Sequence, residues 1–104
     1  MQVLFVSRKF DVDGQLVECR FYEPKRDGDD YRCQYAIDFP DKPKRSYAFG
    51  VDAVQALLLA MKKAHVDLLV ARQDKDRGIT WLEQENLGLP LDQELCDLSP
   101  ENSF

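Results

Sequence analysis

At Gly50 the hydrophobic period of this chain changes. Before it, apolar side chains recur every second residue; after it, they recur at the 3.6-residue period of a helix. Tyr31, Cys33, Tyr35, Ile37 and Phe39 alternate with Arg32, Gln34 and Asp38, the pattern of a strand with one covered face. Leu16 to Tyr22 alternates likewise, with Val17, Cys19 and Phe21 on one parity. Lys44 to Phe49 carries Tyr47 and Phe49 on one side. Gln2 to Lys9 is apolar on both parities, which predicts a strand covered on both faces or sitting centrally in the sheet. The connections are short: Asp13-Gly14 is a turn dipeptide, Lys25 to Asp30 reads as a polar loop, and Pro40 to Pro43 as a turn. Short connections favour antiparallel neighbours and a four-stranded meander.

Asp52 is placed to cap a helix, with Gln55 three residues on as in a capping box. Strong helix formers follow, so a helix is predicted over residues 53–72. Val54, Leu57, Leu58, Met61, His65, Leu68 and Leu69 fall on one stripe, which is expected to face the sheet. Leu59, Val66 and Val70 form a second apolar line, and Ala53, Ala56, Ala60, Ala64 and Ala71 a third strip of small residues. A helix apolar most of the way round needs cover on more than one side. Ile79 to Leu82 reads as a short fifth strand, and Leu91, Leu95 and Leu98 share an i, i+4, i+7 spacing. The fold expected is therefore α+β: a four-stranded antiparallel meander packed on one long helix, with a short fifth strand and an acidic C-terminal tail. Residues 1–87 form the single domain of this reading and 88–104 the tail, which is free to dock.

The 104 residues suffice for one domain with a core of its own. No run approaches the roughly 18 apolar residues that span a bilayer. The amino terminus lacks the charge order and apolar length of a secretory signal, so the chain is expected in the cytoplasm with Cys19, Cys33 and Cys96 reduced. Net charge is −5. Residues 1–50 hold nine basic and nine acidic side chains, and residues 51–104 hold five and ten. Beyond Arg77 every charged residue is acidic. Nucleic acid is excluded as a partner, because its affinity comes from Lys and Arg on phosphates. A protein with a basic surface suits the tail better.

Candidate chemistry is sparse. His65 sits on the apolar stripe and reads as a core histidine with its nitrogens bonded. Cys19 and Cys33 share one parity on neighbouring strands and are expected to lie almost opposite each other as buried thiols. Asp29 with Asp30, and Asp74 with Asp76, fall in loops near Lys or Arg. No catalytic residue, metal ligand or cofactor is assigned.

The run Arg45 to Ala60, RSYAFGVDAVQALLLA, resembles a family of small bacterial proteins classed only as domains of unknown function. They share a strand followed by Gly-x-Asp-x-x-Gln-Ala-Leu at the start of a long helix. Phe21-Tyr22-Glu23-Pro24 and Arg32 to Ile37 share in the likeness, which covers residues 7–72. The resemblance implies a bacterial sheet-plus-helix domain and carries no activity or catalytic residues. The function expected is a non-catalytic protein–protein interaction module of immunity, inhibitor or adaptor type. The alternative is a small-ligand-binding domain or simple enzyme using Tyr31, Tyr35, Tyr47, Phe49 and Trp81 as an aromatic inner sheet face. The candidate interaction surface is Leu59, Val66, Val70, Leu91, Leu95 and Leu98, covered by the tail, by a second copy in a homodimer, or by another protein.

Overall fold

The computed structural model describes residues 2–74 and 77–91. A six-stranded antiparallel sheet packs on one long helix. The strands are β1 (Leu4–Val12), β2 (Gln15–Tyr22), β3 (Lys25–Asp27), β4 (Asp30–Ile37), β5 (Lys44–Gly50) and β6 (Ile79–Thr80), and the helix α1 (Ala53–Asp74) follows β5 directly. The sheet order is β3-β4-β2-β1-β6, with β5 on the other edge of β4. Strand β3 is the segment expected to be a loop. It carries no apolar side chain, but the two-residue turn at Gly28-Asp29 returns it onto β4, and backbone pairing alone makes it a strand.

Strand β1 departs from expectation in a second way. It runs to Val12, and its covered residues are Phe10 and Val12 near its end. The apolar run Val3 to Val6, expected to be covered on both faces, is exposed. A strand buries a residue only where another layer lies over it, and that layer stops short of this end of β1.

The helix starts as its cap predicts. The Gln55 amide donates to Asp52 Oδ1 at 2.8 Å, and Gln55 Oε1 accepts from the Val51 amide at 2.7 Å. The stripe turned to the core is the expected one only in part: His65, Leu68 and Leu69 are buried and Leu57 and Met61 pack on the core, but Val54 and Leu58 do not. Ala56, Ala60, Ala64 and Leu68 recur every four residues and are fully buried over β4 and β5, while Val54 is 75% exposed and Leu58 38%. The reason is volume. Tyr35, Phe21, Phe10 and Ile37 from the sheet fill the layer between, so the helix can approach only along its small residues. His65 and Leu69 are buried beside that strip, and Leu57, Met61 and Val66 pack at its margins.

The other part of the sheet's inner face is covered by the segment after β6. Leu87, Leu89 and Leu91 are buried in the same core. Arg8 fastens the segment to β1: its Nη1 donates to the carbonyls of Leu87 and Gly88 at 3.0 Å each, and its guanidinium lies 3.8 Å from the Trp81 ring centre. Arg72, in the last turn of α1, donates to the Ile79 and Glu85 carbonyls.

One turn in this segment is strained. Trp81 and Gln84 exchange two backbone hydrogen bonds of 2.9 Å, and between them Leu82 and Glu83 have φ of 50° and 64°. Both are in the left-handed region, which costs a residue with a Cβ about 1–2 kcal/mol. The hairpin turn at Asp13-Gly14 uses the same geometry with a favoured dipeptide. Replacing Leu82 and Glu83 together by Asn and Gly is expected to stabilise the chain by about 1 kcal/mol, read as a higher thermal midpoint. An unchanged or lower midpoint counts against the strain.

Candidate functional site

Pairing register sorts the side chains of the sheet onto two faces. Arg45 lies opposite Ala36, and Ala36 opposite Arg20. One row along, Tyr47 lies opposite Gln34, and Tyr22 opposite Leu4. A third row holds Phe49, Arg32 and Lys25. Side chains directly opposite point the same way, so these rows form the face turned away from the helix. Tyr35, Cys33 and Phe21 occupy the inner face.

The five aromatic residues expected to share an inner face are therefore divided. Tyr35 is buried in the core and Tyr31 packs against it, but Tyr47 and Phe49 stand on the open face. Trp81 packs near Arg8 at the far side of the core. On β5 the aromatic parity is the open one: the residues turned inward are Lys44, Ser46, Ala48 and Gly50, opposite Ile37, Tyr35, Cys33 and Tyr31.

On the open face Tyr47 and Phe49 meet edge to face, with ring centres 5.4 Å apart and planes at 82°. They are 46% and 45% exposed. The Arg32 guanidinium lies 5.9 Å from the Tyr47 ring, and the Arg32 Nε is 3.6 Å from Asp27. Lys63 reaches round the sheet edge from the helix, donates to the Tyr47 carbonyl at 3.0 Å and lies 5.6 Å from its ring. Beside this pair is a cavity of about 420 Å³, lined by Arg20, Tyr22, Gln34, Ala36, Arg45 and Tyr47. Arg20 Nη2 donates to Asp38 Oδ1 at 2.8 Å. Its Nε is buried and has no hydrogen-bond acceptor; the Glu18 carboxylate is 4.0 Å away. Arg45 is exposed and has no acidic partner among the described residues.

A second cavity of about 280 Å³ opens between β5 and the helix, with Lys42, Lys44, Asp67 and Val70 in its wall. The Tyr35 hydroxyl donates a very short hydrogen bond to Asp67, tying the helix to β4. Burial and the Asp67 carboxylate hold the Tyr35 phenol protonated far above its ordinary range.

The expected interaction residues differ in exposure where they are described. Leu59 is half-buried, Val66 packs against the core, Val70 is 40% exposed, and Leu91 is buried. Leu95 and Leu98 lie outside the described residues, as do Cys96 and the remainder of the acidic tail. Among the described residues no group of His, Cys, Asp and Glu is arranged to hold a metal ion, and no helix is long and apolar enough to cross a membrane.

His65 is fully buried, and its Nδ1 bonds the Pro90 carbonyl at 3.1 Å. Burial holds its pKa below the usual value. Between that lowered pKa and about 6.5 the unfolded chain binds a proton that the folded chain does not, so stability is full above about pH 6.5 and falls as pH drops below it. The urea midpoint is expected to decline from pH 7.5 to pH 5.5, and to decline less in His65→Gln. Parallel declines in the two proteins would assign the effect to other groups.

Cys19 and Cys33 are free and buried. They are not opposite each other: Cys19 faces Ile37, and Cys33 faces Ala48 and bonds the Tyr22 carbonyl at 3.3 Å. Shared parity was legible, but register across a loop was not. Burial pushes the Cys19 thiol up to about 12 and Cys33 up to about 11. Both are expected to resist thiol reagents in the native protein and to react after denaturation; rapid native labelling would contradict it.

No curated protein and no solved structure matches the chain. One family model does match, over residues 6–91, which takes in β2 to β6, the helix and all but the first two residues of β1. The chain belongs to that family, described as a domain of unknown function (DUF6968).

Proposed function

We propose that this chain is a non-catalytic protein-interaction module that docks its partner on the open face of the sheet. The observation that carries the reading is the half-exposed pair Tyr47 and Phe49, flanked by Arg32 and Arg45. The solvent face of an antiparallel sheet is normally polar. Tyr, Phe and Arg are the residues enriched where proteins meet: rings bury large area at small entropy cost, and the guanidinium both stacks and donates. The bacterial immunity, inhibitor or adaptor setting belongs to this reading. So does the cytoplasm, where buried free thiols such as Cys19 and Cys33 are the rule. A basic patch on the partner would complement the acidic side chains that follow Arg77.

A displayed library of peptides selected against the chain tests the reading. Binders are expected whose affinity is lost in the double variant Tyr47→Ala, Phe49→Ala, with the variant still folded and its melting lowered only modestly because both side chains are half-exposed. Binders held equally well by the variant would remove the open face from the interaction.

A further inference from the structure

The cavity beside Tyr47 has a chemistry of its own. Its floor is Ala36, the small residue in the middle of the row Arg45–Ala36–Arg20. Two guanidinium groups therefore flank one gap across three strands. Neither is fully engaged: Arg20 spends its Nη2 on Asp38 and keeps its side chain 29% exposed, and Arg45 is exposed with no acidic partner among the described residues. A guanidinium carries five N–H donors in a fixed fork, so each of the two keeps donors for an acceptor in the gap. Gln34 and Tyr47 supply further polar atoms, and the rings of Tyr22 and Tyr47 supply apolar walls.

We propose that this cavity takes the carboxylate of an acidic side chain, presented by a peptide segment of the partner that lies across the open face. The proposal rests on the interaction reading above and names the chemistry of its partner. A planar carboxylate suits two convergent guanidinium groups, which donate along fixed directions. Its methylene stem would lie between the two tyrosines. A single negative charge fits better than a polyanion. Arg20 and Arg45 are the two cations in the cavity wall, and Arg20 already pairs with Asp38, so about one negative charge is left to be matched there. The chain's net charge of −5 also opposes a nucleic-acid strand.

The test uses peptides selected from the displayed library. The binders are expected to share one Glu or Asp between apolar residues. Exchanging it for Gln or Asn should weaken binding about ten- to a hundredfold. Arg45→Gln should weaken the acidic peptide equally. In that variant the Glu-to-Gln exchange in the peptide should make a much smaller difference, the remainder belonging to Arg20, which a merely structural role for Arg45 would not produce. Ala36→Leu, which fills the cavity from its floor, should have the same effect through an independent change. Binders without an acidic residue, bound alike by the wild type and Arg45→Gln but lost with Tyr47→Ala and Phe49→Ala, would overturn the carboxylate site and leave the docking face intact. Competition by inorganic phosphate far better than by acetate, or tight binding of an oligouridylate, would overturn it in favour of a phosphate ligand.

Discussion

Gly50→Ala is expected to destabilise the chain by about 3 kcal/mol, lowering the thermal midpoint by roughly 12–24 °C. The cause is a close approach of backbone to backbone. A Cβ on Gly50 would collide with the Ala56 amide nitrogen, and would lie 2.7 Å from the Gln55 carbonyl carbon and 2.9 Å from Ala56 Cα. All three are main-chain atoms, so no rotamer change relieves the clash. The first turn is also pinned: the Ala56 amide donates to the Asp52 carbonyl at 3.0 Å, and the Gln55 amide to the Asp52 side chain. Relief requires moving the start of α1 away from β5, which would disturb the alanine strip packed on the sheet. Denaturant unfolding measures the effect. A loss under about 1 kcal/mol would show that the strand-to-helix joint yields.

Leu68→Ala is expected to cost about 2–5 kcal/mol, and Leu58→Ala less than about 1 kcal/mol. Leu68 is fully buried in the core cluster, so truncation removes contacts on all sides and leaves a cavity. Leu58 is 38% exposed, and water takes the place of the atoms removed. The helical period put both on the stripe facing the sheet. The structure separates them, because the alanine strip turns α1 so that Leu58 reaches its flank. Equal urea midpoints for the two variants would return the buried face to the stripe read from periodicity.

The alternation of Leu16 to Tyr22 and Tyr31 to Phe39 located β2 and β4, and the Asp52–Gln55 cap located the start of α1, because these are local effects of backbone hydrogen bonding and side-chain parity. Cysteine burial and the bonded core histidine were legible for the same reason. The open-face site was not. Its parts lie on β2, β4 and β5, and only the registers of β4 with its two neighbours bring Arg20, Ala36 and Arg45 into one row. Arg32 and Gln34 belonged to the polar parity already read from alternation, yet the placing of Tyr47 and Phe49 beside them needed the pairing of β5.

What the sequence determined by itself was the period of each segment, the chain's turning from strands to a helix at Gly50, and the class of fold that follows. Those depend on residues within a few positions of one another. The tertiary structure decided which apolar face is covered. It left Val3 to Val6 exposed, made a strand of the polar Lys25–Asp27, and centred the buried face of α1 on its alanines, leaving Val54 and Leu58 outside it. Burial is a property of the layer that lies opposite, and the space left by Phe10, Phe21 and Tyr35 is set by three strands at once. No local period carries that information.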